Sequence, residues 1–173
     1  DSNTISKITK KYPKIDIITF SNVFAHIENL RELIKNLKKL LSEKTIIIIE
    51  NHYLGSVIEK RQFDTFYHEH PRTYSLKSFT EISKLLGVNL ISYKFPKRYG
   101  GNIRVIFSNN FTKKNNLVKI IKREKLYFKK IKKLSNDIEI WKNKKLNIIN
   151  AFVKKFGPLP AKAFPGRAAI LMK

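Results

Sequence analysis

Two short apolar runs flanking a helical repeat constrain the fold more than any other part of this chain. The runs are Ile15-Asp16-Ile17-Ile18-Thr19-Phe20 and Thr45-Ile46-Ile47-Ile48-Ile49-Glu50. Both are β-branched on successive residues, the pattern of strands buried on both faces. Between them Leu30, Leu33, Ile34, Leu37, Leu40 and Leu41 recur at helical spacing with lysines interspersed, which makes a helix with one apolar stripe. Strand, helix and strand joined by short links predict a right-handed parallel crossover. In such α/β sheets ligands sit beyond the carboxyl ends of the strands. Here those ends are Ser21 to His26 and Glu50 to His52.

The remaining elements follow in order. Ser6 to Tyr12 reads as a short helical lead-in, and Tyr53 to Gln62 as a short helix. Ser75 or Ser78 caps the next helix, Ser78 and Glu81 having capping-box spacing. That helix runs to about Leu86, where Gly87 suits a left-handed C-terminal cap. Val88–Phe95 and Ile103–Ser108 read as strands joined through the Tyr99-Gly100-Gly101 turn, and so pair antiparallel. All four strands are expected in one sheet. From Lys113 to Lys155, Tyr127, Ile131, Leu134, Ile138, Trp141, Ile148 and Phe152 form a narrow seam on one long helix or two. The expectation is a helix packed on its own domain, with a homodimer seam as the alternative. Phe156-Gly157-Pro158-Leu159-Pro160-Ala161-Lys162-Ala163 then reads as a turn and a helix start.

Composition narrows the function classes. With 173 residues, 42% of them hydrophobic, the chain can build one packed domain and an appendage. No stretch of about 20 apolar residues is present, so no membrane-spanning helix is expected. Cysteine is absent, which excludes disulfides and cysteine-based metal sites and makes the cytoplasm the expected compartment. The net charge of +23 is of the kind that meets nucleic acid or phosphorylated ligands. The lysines are spread along helices, however, beside many isoleucines and asparagines. Charge by itself therefore argues against nucleic acid, and a non-catalytic basic module binding nucleic acid or a protein partner stands as the alternative function.

One segment carries the chemistry. Gln62-Phe63-Asp64-Thr65-Phe66-Tyr67-His68-Glu69-His70-Pro71-Arg72-Thr73-Tyr74-Ser75 holds two of the four histidines, with carboxylates and phenols beside them. All can exchange protons or share hydrogen bonds. Pro71 ends any helix and biases His70 toward extended backbone. Tyr67, Glu69 and His70 can therefore converge on one small substrate. The plainer alternative is a polar, aromatic-lined loop.

These stretches together resemble a known family. Asn22-Val23-Phe24-Ala25-His26 resembles the fourth-strand region of S-adenosylmethionine-dependent C-methyltransferases that methylate carbon 3 of nucleotide-linked 4-keto-deoxysugars. Phe63 to His70 looks like that family's Tyr-His-Glu-His signature. Tyr99-Gly100-Gly101-Asn102-Ile103-Arg104-Val105 resembles its Gly-Gly-Ser-Leu/Ile-Arg-Val, and Gly157 to Ala163 looks like its Gly-Ala-Pro-Ala-Lys. The resemblance implies an α/β fold, the C-terminal half of a Rossmann-like methyltransferase sheet. It implies residues 1–110 as a partial methyltransferase domain, 111–155 as a helical connector and 156–173 as the start of a second Rossmann-like domain. It also implies S-adenosylmethionine as cofactor and a nucleotide-diphosphate sugar as substrate.

The chemistry needs a base, because carbon is a poor nucleophile until a proton beside the carbonyl is removed. It needs a donor at the enolate oxygen and good positioning for methyl displacement. The resemblance gives His70 as the base and Tyr67 as the donor or alternate base. Glu69 then orients an imidazole, and His68 is either a participant or structural. Asn22, Val23, Phe24 and His26 border the cofactor, with a helix cap as the other use of Asn22. His52 and Tyr53 line the sugar pocket. Arg104 meets a diphosphate or pairs across the sheet. Lys162, near a helix N-terminus, meets phosphate or stands solvated.

The family's zinc module, glycine-rich loop and ribose-binding acid are not found here. The expectation is a central fragment with an incomplete cofactor site, or a chain that has lost cofactor binding. Asn102 and His70-Pro71-Arg72 point to a subgroup with its own substrate.

Overall fold

In the computed structural model, residues 2–110 and 117–160 are described. Helix α1 (Ser2–Lys11) leads into strand β1 (Ile17–Ser21), helix α2 (Leu30–Lys38) and strand β2 (Ile46–His52). Helices α3 (Leu54–Glu59) and α4 (Leu76–Leu86) follow, then strands β3 (Asn89–Lys94) and β4 (Asn102–Ser108). Helices α5 (Val118–Glu124) and α6 (Tyr127–Phe156) end the described chain.

The strands form one sheet in the order β1-β2-β4-β3. β1 and β2 are parallel, in register from Ile17 with Ile46 to Ser21 with Glu50. β4 is antiparallel to both β2 and β3, as the glycine turn predicts for the β3–β4 pair. The expected strand edges shift: Ile15 and Thr45 fall just outside. Thr45 is still used, its hydroxyl donating to the Ile15 carbonyl at 2.7 Å and so starting the β1–β2 ladder.

One face of the sheet makes the core. Ile47, Ile49, Ile103, Val105 and Phe107 point there with no exposed surface beyond a trace. Phe24, Phe79, Leu76 and Tyr74 from the covering layer pack on them. Each such side chain contributes about 1.5–3 kcal/mol by leaving water.

The caps show which polar residues local structure claims. Asn29 caps α2: its Oδ1 accepts from the Glu32 amide at 3.0 Å and its Nδ2 donates to Glu32 Oε2 at 3.2 Å. At α4 the capping box lies between Ser75 and Ser78, not Ser78 and Glu81. Glu81 instead pairs with Lys84 at 3.0 Å, because the helix starts one turn earlier than that pairing requires. Gly87 closes α4 at φ 75, a conformation nearly free of cost only for glycine.

The seam of α6 divides. Tyr127 and Leu134 are buried, whereas Ile131, Trp141, Ile148 and Phe152 are 39–51% exposed. The first half of the helix packs on the domain, against α3 and then against the segment after it, where Asp137 pairs with Arg61 at 3.4 Å and Trp141 meets the Phe63 ring at 5.4 Å. Lys162 and the 161–163 part of the expected helix start lie outside the described residues.

Candidate active site

The carboxyl ends of β1 and β2 meet the amino end of β4 at one edge of the sheet, with His52 opposite Asn102 and Glu50 opposite Arg104. Beyond β1 the chain turns at Asn22, whose φ of 54 is a left-handed conformation that asparagine tolerates. Its amide donates to the Glu50 carbonyl at 2.8 Å. Its Oδ1 accepts from Asn102 Nδ2 at 3.2 Å, and the same Nδ2 donates to Glu50 Oε1 at 3.0 Å. Asn22 is thus a sheet-end residue, and the capping use falls to Asn29. Asn102 Oδ1 is buried with no hydrogen-bond partner among the described residues.

Glu50 closes an apolar strand with its carboxylate nearly out of solvent. Burial pushes its pKa up, but hydrogen bonds from Asn102 and Arg104 and the charges of Arg104 and Arg98 outweigh that and hold the carboxyl below its ordinary value. Arg104 contacts Oε2 through Nε at 2.7 Å and Nη2 at 2.6 Å, so the cross-sheet ion pair is what forms. Arg98 lies farther off, its Nη1 4.0 Å from Oε1.

The Tyr67–His70 segment is folded onto this edge by three ties. Phe63–Thr65 makes a single 3₁₀ turn, the Arg72 guanidinium donates to the Ile27 carbonyl, and the Leu54 amide donates to the Tyr74 carbonyl at 2.9 Å. A further tie holds the opposite loop: Asn51 is 1% exposed, and its amide bridges the Ala25 amide and Glu50 carbonyl, both at 2.8 Å in the orientation that satisfies both groups. The result is a cluster of rings. His70 lies 4.6 Å from His26, 5.6 Å from His52 and 4.4 Å from Tyr67, centroid to centroid. His70 Nδ1 is 3.1 Å from the Thr65 carbonyl, which can only accept, so Nδ1 carries the hydrogen. The basic lone pair is then on Nε2, which faces the Tyr67 hydroxyl at 3.4 Å.

Three of the four histidines therefore meet, with the His70 ring at the centre and Tyr67 against it. His68 reaches only the outer side of this cluster, edge-on to Tyr67 at 5.8 Å, and Glu69 points away with it. Their side chains are 86% and 57% exposed and 3.9 Å apart, so the imidazole beside Glu69 is that of His68. With His26, Glu28 and Pro71 they line a shallow cavity of about 250 Å³.

Two expected site residues are redirected. Phe24 is wholly buried against Phe20, Tyr74 and Phe79, leaving its ring no surface for a cofactor. Its neighbour Val23 is half-exposed instead. Tyr53 alternates to the opposite face from His52. Its hydroxyl meets Glu124 Oε1 at 3.0 Å and the Tyr127 hydroxyl at 2.8 Å, so it anchors the α5–α6 connector and lines no open pocket. Sequence reasoning in turn missed Glu50, Asn51 and Asn102 as site-building residues. A charged side chain ending an apolar strand was the available signal.

Residues 2–93 match the family model described as "Methyltransferase domain". The chain belongs to the methyltransferase-domain family. The domain is also similar to the C-methyltransferase NovU of Streptomyces niveus, with 31% identity over 85 residues, 49% of this chain and 20% of NovU. The chain thus spans about a fifth of that relative's length. Among the described residues, no helix is long and apolar enough to cross a membrane. Family membership favours the enzymatic reading over the basic-module alternative.

Proposed function

We propose that this chain is part of an S-adenosylmethionine-dependent C-methyltransferase that removes a proton beside the ketone of a nucleotide-linked keto-deoxysugar and methylates that carbon. The observation that carries the proposal is the His70–Tyr67 pair, with Nε2 of the imidazole 3.4 Å from the phenol at the sheet edge where α/β ligands bind. Similarity to a C-methyltransferase supports the choice of carbon as acceptor.

When bound, S-adenosylmethionine supplies an electrophilic methyl group on a sulfonium sulfur. Val23 and His26, exposed after β1, border that side, and the unpartnered Asn102 Oδ1 offers a buried acceptor for a ligand N–H or O–H. His70 Nε2 takes the C–H proton, and its Thr65 bond holds the tautomer that makes this possible. Tyr67 donates to the enolate oxygen that forms. A separation of 3.4 Å is long for the pair, as is common before substrate is in place. His52 lines the sugar side.

Residues 1–110 fit a share of a larger Rossmann-like sheet. β1 is an edge strand and Ile17 on it is 59% exposed, whereas parallel strands normally sit inside a sheet. Residues 111–155 then serve as connector and 156–173 as the start of a second domain, with zinc confined to the family's N-terminal module.

The test uses the full-length protein, methyl-labelled S-adenosylmethionine and a nucleotide-linked 4-keto-deoxyhexose. Label is expected in a methyl group bonded to ring carbon. Label on oxygen, nitrogen or protein would overturn the proposal.

A further inference from the structure

Tyr99 is held in a conformation that works against its own side chain. Its φ is 50 and ψ 35, a left-handed region disfavoured for residues with a bulky Cβ substituent. Gly100 and Gly101 follow at φ 84 and 128. That turn is set tightly against α3 and the residues after it: a Cβ at Gly100 would meet Gln62 Nε2, and one at Gly101 would meet Ser56 Oγ. The turn therefore fixes the backbone at 99, where glycine would be the unstrained choice. The tyrosine there gains little from the fold, since it is 61% exposed. Strained residues of this kind cluster at ligand sites.

Its surroundings say what it would hold. Tyr99 sits edge-on to His52 at 6.5 Å, His52 is 5.6 Å from His70, and His70 is 4.6 Å from His26. The four rings form a row along the sheet edge. His26 lies on the cofactor side and the proposed base is second, so Tyr99 stands at the far end, away from the cofactor. The Arg98 guanidinium lies 5.4 Å from the Tyr99 ring and its side chain is 55% exposed. Arg104 already occupies Glu50 Oε2, so the two guanidiniums share one carboxylate and the turn keeps a net positive charge. Lys60 adds to it by donating to the Gly100 carbonyl.

We infer that Tyr99 and Arg98 form the subsite for the end of the substrate remote from the reacting carbon, the ring stacking a planar base and the guanidinium meeting the attached phosphates. This rests on the function proposed above and adds which residues grip the nucleotide. An exposed aromatic face beside a cation suits a base carrying a diphosphate, and neither group alone selects one.

The test measures binding of free thymidine and uridine diphosphates to the full-length protein, with inorganic pyrophosphate as the base-free control. Tyr99→Gly and Tyr99→Ala are both expected to weaken the tighter nucleoside diphosphate about 5- to 100-fold, the range expected for one lost base–aromatic stack. Tyr99→Phe is expected to restore binding, and pyrophosphate affinity to stay at the parent's value in all three. Arg98→Gln is expected to weaken every diphosphate, pyrophosphate included. The glycine variant is expected to melt above the alanine variant, because strain and binding are separate properties of this position. Parental nucleotide affinity in the glycine or alanine variant would overturn the subsite. If the parent still exchanges the acidic proton of the keto-sugar into heavy water, only the subsite falls. A parent that neither binds these nucleotides nor exchanges that proton would overturn the proposed function and the subsite together.

Discussion

Arg104 faces Glu50 directly across the β2–β4 pairing and places both Nε and Nη2 on one carboxylate oxygen, at 2.7 and 2.6 Å. With Asn102 on the other oxygen, the carboxylate is matched on both sides although nearly buried. Its folded pKa is therefore below its unfolded one. The stability this gives is present above the unfolded pKa and is lost as pH falls through the folded value. Arg104→Ala is expected to cost about 1–3 kcal/mol at neutral pH, since Asn102 remains but the charge loses its closest cation. Denaturant titration at a series of acid pH values checks this: Glu50→Gln should flatten the acid limb. An unchanged acid limb would show that Glu50 does not govern it.

Glu124 joins three elements. Its carboxylate accepts from the amides of Leu76 and Lys77, both at 2.8 Å, and from the Tyr53 hydroxyl at 3.0 Å. It thereby caps α4 and docks α5 on the domain. Glu124→Ala is expected to cost roughly 2–4 kcal/mol by leaving buried donors unmatched. Tyr53→Phe should cost less, about 1–2 kcal/mol. Chemical denaturation of both variants decides the order.

Burial pushes the Tyr74 hydroxyl up to about 12, from an ordinary value of 10. A raised folded pKa gives stability that is full below pH 10 and lost as pH rises through about 12. Burial raises Tyr53 and Tyr127 in the same direction. Phenolate absorbance from these tyrosines is expected to appear together with loss of near-ultraviolet dichroism. Phenolate that forms while the fold persists would contradict their burial.

His70→Asn in the full-length protein is expected to slow exchange of the sugar's acidic proton into heavy water, with S-adenosylhomocysteine replacing the methyl donor. General-base loss costs about a hundredfold to ten-thousandfold. Tyr67→Phe should also slow exchange, by roughly 3–4 kcal/mol if the phenol is the sole donor to the enolate. Because Nε2 and the phenol face one another, the double variant should be little worse than His70→Asn. Additive losses would mean that the two act separately, and parental exchange in His70→Asn would remove it as base.

Much of the architecture was legible because it rests on local periodicity. The two isoleucine-rich runs, the leucine stripe and Gly87 each report a backbone state through neighbouring residues. All four strands and the parallel and antiparallel pairings agree with that pattern. The helical seam was less legible. A stripe on α6 says which side is apolar but not how far a partner extends: full burial stops after Leu134, and Ile138 is only partly covered.

Within the candidate site, the sequence by itself determined which chemistry was present: imidazoles, a phenol and strand-end polar groups placed where an α/β sheet binds ligands. It could not determine which of them meet. His26, His52 and His70 are far apart along the chain, and only the folding of the turn after β1 and of the loop around His70 onto the end of β2 brings their rings within 4.6 and 5.6 Å. The same packing turned Phe24 and Tyr53 inward and made Glu50 the anchor of Arg104 and Asn102. A strand's alternation fixes that neighbouring residues face opposite sides. Which side becomes core and which becomes site is decided by what packs there, and that is a long-range property of the tertiary structure.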